Sequence, residues 1–129
     1  MTTTPQSFYA LIAEDTEDIA VLMQLTLTRL GVDSHHAING ILALECLAER
    51  LPDIMLLDIS MPGMNGWEVL EKVKERYPDI YFPVIVLTAF DDPANKLIGK
   101  LQARVFRYIT KPFDMDVLAQ TVRDALQIS

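Results

Sequence analysis

The stretch "IMLLDISMPGMNG", residues 54–66, decides how this chain is to be read. Four apolar residues, Ile54-Met55-Leu56-Leu57, run directly into the carboxylate of Asp58. Nothing in the run alternates with a polar face, so it predicts a strand buried on both sides, as in a parallel sheet covered by helices. A proline–glycine turn from Met61 to Gly66 follows, and a helical pattern resumes at Val69, Leu70, Val73 and Tyr77. A charge at the end of a buried strand is costly unless that end opens onto a site.

Outward from this stretch the same unit recurs. Strand-like segments are expected at Ser7–Ala13, Val32–Ile38, Asp53–Asp58, Phe82–Thr88 and Val105–Thr110. Helix-period segments follow each of them: Glu17–Leu30, with Ile19, Leu22, Met23, Thr26 and Leu30 and a stop at Gly31; then Ile41, Leu44, Leu47 and Leu51 on one stripe after an Asn39 cap. After the third helix, a fourth is expected from Asp91 or Asp92 with Leu97, Ile98 and Leu101 inward. A fifth is capped by Asp114, with Val117, Leu118, Val122, Ala125 and Leu126 inward. Alternation at this spacing implies an α/β fold with a parallel sheet covered on both faces.

The totals set bounds. With 129 residues, half of them apolar, the chain is long enough for one domain with a real core. No apolar run approaches the roughly 18 residues that span a bilayer, and the first six residues lack a signal-peptide pattern, so a cytoplasmic location with no membrane contact is expected. A net charge of −7 argues against direct nucleic-acid binding. The single Cys46 excludes an internal disulfide. Acidity is uneven: Pro93–Phe113 holds no Asp or Glu but carries Lys96, Lys100, Arg104, Arg107 and Lys111, a solvated surface or a docking face.

In such a sheet, ligands bind beyond the carboxyl ends of the strands. Those ends carry Glu14-Asp15, Asp58, Thr88 and Thr110-Lys111. Carboxylates about 4 Å apart repel by about 4 kcal/mol per pair at an effective dielectric near 20. Asp15 could cap the first helix, but capping requires neither Glu14 beside it nor Asp58 nearby. A hard divalent cation resolves the repulsion: three carboxylates balance one Mg²⁺ and the Lys111 ammonium. Open metal positions beside a lone carboxylate suggest phosphoryl transfer, with Asp58 as nucleophile and Glu14 and Asp15 as ligands.

The segments "AEDTED" (13–18), "LLDISMPGMNG" (56–66), "VIVLTA" (84–89) and "YITKPFD" (108–114), in that order, resemble the signatures of the response-regulator receiver domain. The resemblance covers Ser7 to Ile128 and makes residues 1–129 one receiver domain. It implies a flavodoxin-like sheet in the order 2-1-3-4-5, for which a protein of this type is the standard illustration. It further implies that Asp58 accepts a phosphoryl group from a sensor histidine kinase or phosphotransfer protein. Asp15, Asp58 and the main-chain carbonyl of Ser60 would ligate Mg²⁺, with Glu14 acting through water. Thr88 and Lys111 would bind phosphoryl oxygens, and Lys111–Pro112 matches a cis peptide.

Signalling would proceed by a population shift. Thr88 would move toward the phosphoryl group and Tyr108 would turn inward, switching the face of the fourth helix, fifth strand and fifth helix for a downstream protein target. The protein would catalyse only its own phosphorylation and dephosphorylation, as a monomer or weak homodimer. Phe90 would shield the acyl phosphate from water. With Ser129 soon after the last helix, no output domain is expected.

The sequence departs from the family pattern at Glu14, where Asp is commoner, and at Arg104-Val105, where Gly-Ala is usual. Phe106-Arg107 replaces acidic residues of the fifth strand, so a dimer mode pairing such acids with bases would lack them. A flavin-binding relative would need a hydroxyl- and glycine-rich loop where "EDTED" stands. A phosphatase of the haloacid dehalogenase type would need a second Asp at Ser60. The remaining alternative is a receiver-like module that binds protein without phosphorylation, against which the intact acid cluster, Thr88 and Lys111 argue. His35-His36 reads as a plain edge-strand pair, since neighbouring strand residues point to opposite faces. Trp67 opens the third helix beside the turn.

Overall fold

The computed structural model describes residues 7–89 and 103–129. Five parallel strands, β1 (Phe8–Ala13), β2 (Val32–Ala37), β3 (Ile54–Asp58), β4 (Val84–Thr88) and β5 (Val105–Thr110), pair in the order β2-β1-β3-β4-β5. The described helices are α1 (Glu17–Arg29), α2 (Gly40–Glu49), α3 (Gly66–Arg76) and α4 (Met115–Leu126). The helix expected from Asp91 or Asp92, together with Phe90, Lys96 and Lys100, lies outside the described residues.

The continuous apolar runs are explained by burial on both sides. Along β1, Leu11 and Ala13 join one core with α2 and α3, while Ala10 and Ile12 join another with α1 and α4. Met55 and Leu57 against Ile54 and Leu56 repeat the division in β3, as do Val84 and Val86 against Ile85 and Leu87 in β4. Each of these side chains is fully buried. Polar residues are accordingly tolerated on the edge strands β2 and β5, whose burial is partial.

Helix termini follow the local chemistry. The Asn39 side chain accepts from the Leu42 N–H at 2.8 Å, and that of Asp114 from the Asp116 N–H at 2.8 Å. Gly31, at φ 77°, turns the chain out of α1. A capping box that the sequence reading passed over starts α3: Asn65 accepts from the Glu68 N–H, and Glu68 accepts from the Asn65 N–H. The α2 pattern ends at Glu49, short of Leu51, because a residue preceding proline is pushed out of the α region. Likewise β4 begins at Val84 rather than Phe82, since Pro83 has no N–H to give the ladder.

Three apolar stripes are rotated from expectation. In α1 the buried residues are Ala20, Met23 and Leu27, leaving Leu22 exposed. In α2 they are Gly40, Ala43, Leu44 and Leu47, with Ile41 outside. Val117 of α4 is exposed, and Thr121 is buried in its place, its hydroxyl donating to the Val117 carbonyl at 2.7 Å. Small residues sit where a helix lies close to the sheet, which a stripe of large apolar residues cannot report. No helix among the described residues is long and apolar enough to cross a membrane.

Arg104 has a role of its own. Its guanidinium donates to the Ile80 carbonyl at 2.6 Å and to the Tyr77 carbonyl, and lies 5.3 Å from the Phe82 ring centre. It thereby closes the loop between α3 and β4 with groups that the Gly-Ala of the family pattern lacks. Arg104→Ala is expected to cost about 2 kcal/mol of unfolding free energy in urea, from two carbonyls losing a charged donor. Arg104→Lys should recover little of it, because one ammonium cannot span the fork.

Candidate functional site

The carboxyl ends of β1, β3, β4 and β5 carry the expected polar groups, and the fold brings them together. β1 delivers Glu14 fully buried, its N–H donating to the Ala37 carbonyl at 3.1 Å so that pairing with β2 continues one residue past the strand. Asp15 follows, half-buried. It does not cap α1. Thr16 holds that position, without a side-chain cap, and the acids of the first turn are Glu17 and Asp18. The capping explanation of the acid pair therefore falls.

Asp58 ends β3 and is buried. Its Oδ1 accepts from the Ser60 N–H at 3.1 Å, while the Ile59 N–H donates to the Leu87 carbonyl at 3.0 Å and anchors the turn to β4. One carboxylate oxygen from each of Glu14, Asp15 and Asp58 lies within 4.8 Å of the others. Lys111 enters from beyond β5, where its N–H donates to the Thr88 carbonyl at 2.7 Å and the Lys111–Pro112 peptide is cis. Its Nζ donates to both oxygens of Glu14, at 2.9 and 3.0 Å, and stands 3.4 Å from Asp58 Oδ2. Thr88 is buried at the end of β4. The Ser60 residue is exposed on the turn.

Three acids facing one ammonium leave an excess of negative charge, and proton affinities reflect it. Burial pushes the Glu14 carboxyl up, with Asp58 adding to the rise against the opposing Lys111. Burial also raises Asp15, followed by its hydrogen bond and repulsion with Asp58.

A pH dependence follows. Between the ordinary carboxylate range and these raised values, the folded protein holds protons that the unfolded chain has released. The contribution of these two carboxyls to metal-free stability therefore grows as pH falls from neutrality through the raised values, and the gain ends below the ordinary range. Melting in EDTA between pH 7 and 4 should show this rise. Asp15→Asn should remove its own part of the rise and melt at a higher temperature than wild type at pH 7, the difference closing as pH falls.

Tyr108 stands half-buried on β5, opposite Val86 of β4. Its ring lies 6.4 Å from that of Trp67, tilted by 53°, and burial raises its phenol. Arg107 points outward to Asp124 of α4 at 2.9 Å.

Two contributors escaped the sequence reading. Gly66 brings the start of α3 against the turn, where an added Cβ would stand 2.7 Å from the Asp58 carbonyl oxygen. His36 reaches from β2 to the Glu14 carbonyl, with its Nε2 at 2.6 Å. Helical periodicity beginning only at Val69 concealed the first, and the second depends on pairing across strands.

The response regulator receiver domain family matches residues 10–123. The chain is 35% identical over 115 residues to the DNA-binding transcriptional regulator NtrC of Escherichia coli K12, covering 89% of this chain. It spans about a quarter (24%) of the length of that relative. Among solved structures, the chemotaxis response regulator CheY4 of Vibrio cholerae superposes with a TM-score of 0.85 at 26% identity, covering 94% of this chain and 100% of that one. The receiver domain of a Syntrophus aciditrophicus signal transduction histidine kinase gives 0.81 at 31%, covering 93% and 90%. With its sheet order, its acid cluster and these relatives, the chain belongs to the response-regulator receiver domains, the signalling modules of two-component systems.

Proposed function

We propose that Asp58 accepts a phosphoryl group from a sensor histidine kinase or phosphotransfer protein, with residues 1–129 acting as one receiver unit. The observation that carries this reading is the Lys111 ammonium placed between Glu14 and Asp58, beside three carboxylates within 4.8 Å. An Asp58 oxygen attacks the phosphorus of the donor phosphohistidine. The O–P bond forms as the P–N bond breaks, and the bonding pair leaves on the imidazole.

The donor set fits Mg²⁺, being hard oxygen with more negative charge than Lys111 can balance. Asp15, Asp58 and the Ser60 main-chain carbonyl would hold the ion, with Glu14 joining through water. A bound ion supplies charge neutralisation for the phosphoryl oxygens. The protein's own part is positional. Burial fixes Asp58, the Ser60 N–H holds one of its oxygens, and Lys111 stands ready to exchange Asp58 for a phosphoryl oxygen. Thr88 supplies a hydroxyl from the neighbouring strand end.

The output is a docking event. Movement of Thr88 toward the phosphoryl group favours an inward Tyr108 and changes the outer face of β5 and α4, where a downstream protein target binds a monomer or weak homodimer. Neither direct nucleic-acid binding nor catalysis beyond the protein's own phosphorylation and dephosphorylation belongs to this reading.

Incubation with acetyl phosphate should add one phosphoryl group to the intact mass when Mg²⁺ is present and none in EDTA. Asp58→Asn should remain unmodified in both. Equal uptake by that variant, or uptake without the metal, would count against the assignment.

A further inference from the structure

We propose that His36 is a positioning residue for the metal-binding carboxylates, acting through the peptide that joins Glu14 to Asp15. The proposal rests on the function proposed above. Because a carbonyl oxygen can only accept, the 2.6 Å contact requires a proton on Nε2 and makes His36 the donor. His36 itself stands in register with Ile12, two residues before Glu14.

The neighbouring bond completes a clamp. The Glu14 N–H donates to the Ala37 carbonyl at 3.1 Å, so consecutive residues of β2 hold both backbone groups of Glu14. Its side chain is held separately by Lys111. Rotation about the Glu14 backbone is then fixed at three points, although the residue lies outside the regular ladder.

The carbonyl that His36 holds and the N–H of Asp15 belong to one planar peptide. Its orientation sets the direction in which Asp15 leaves the backbone. Asp15 needs that support more than its partners. Glu14 and Asp58 are buried, whereas Asp15 is only half-buried, and Thr16 beyond it makes no side-chain cap on α1. Without the imidazole donor, the carbonyl is free to turn toward solvent, and Asp15 turns with it. The adjacent His35 does not share this role: it is exposed and points to the other face of the strand.

Outer partners of this kind typically change metal affinity by about 10- to 100-fold. Calorimetric titration with Mg²⁺ of wild type, His36→Leu and His36→Gln tests the assignment, with melting in EDTA as the control on folding. The expected result is a dissociation constant about ten-fold higher in His36→Leu. The side-chain amide of His36→Gln, which can donate to the same carbonyl, should restore most of the affinity. Equal affinity of wild type and His36→Leu would overturn the proposal, as would a His36→Gln protein that folds and binds no better than His36→Leu. A wild-type protein that takes up no Mg²⁺ would overturn the metal assignment and this proposal with it.

Discussion

Lys111→Met is expected to destabilise the metal-free protein at pH 7 by roughly 2–4 kcal/mol, slightly below the range for breaking a fully buried ion pair because Lys111 keeps some contact with water. The ammonium is bonded to both oxygens of Glu14, a fully buried carboxylate, and lies against Asp58. Its removal leaves three acids within 4.8 Å facing one another. Packing alone would make the loss independent of pH. The electrostatic account requires it to shrink as pH falls, because Glu14 already binds its proton more tightly than usual and would do so further without Lys111. Saturating Mg²⁺ should recover part of the loss at pH 7. Chemical unfolding of variant and wild type at pH 7 and pH 5, with and without the metal, checks all three statements.

Gly66→Ala should be as damaging for a different reason. A Cβ there would lie 2.6 Å from Ile59 Cδ1, 2.7 Å from the Asp58 carbonyl oxygen and 2.9 Å from Ile59 Cα. Side-chain adjustment can relieve the first contact, but the other two are backbone of the phosphoacceptor turn. Either α3 retreats or the turn shifts, at a cost of about 3 kcal/mol, the upper part of the usual range for overpacking. The Gly66 N–H donates to the Ile59 carbonyl at 3.0 Å, so the displacement passes directly to the segment that holds Asp58. Phosphoryl uptake from acetyl phosphate should therefore slow by more than the unfolded fraction explains. A variant as stable and as reactive as wild type would show that the turn tolerates the shift.

The convergence of Glu14, Asp15, Asp58 and Lys111 was legible because polar residues at the carboxyl ends of parallel strands meet at one edge, whereas the strand order and the cis peptide followed only from the resemblance to the receiver family. The helix faces were less so. Leu22, Ile41 and Val117 belong to apolar periodicity yet point outward, because the helices approach the sheet over Ala20, Ala43 and the Thr121 side of α4. Periodicity identifies an apolar stripe but not its rotation when small residues make the close contacts. Contacts across strands were hidden altogether. His36 is one polar residue among several on an edge strand until β2 pairs with β1 and places its ring at the Glu14 carbonyl. Arg104 reads as a departure from a family pattern until its fork meets the Tyr77 and Ile80 carbonyls.

The phosphoryl group proposed for Asp58 is an acyl phosphate. Its most direct test is borohydride treatment of protein phosphorylated with acetyl phosphate and Mg²⁺, followed by peptide mass analysis. Reduction of an aspartyl phosphate leaves homoserine, marking the residue that carried the group. Homoserine is expected at position 58 alone; homoserine at position 15, or a phosphoryl group that resists borohydride and maps to another residue, would contradict the assignment of Asp58.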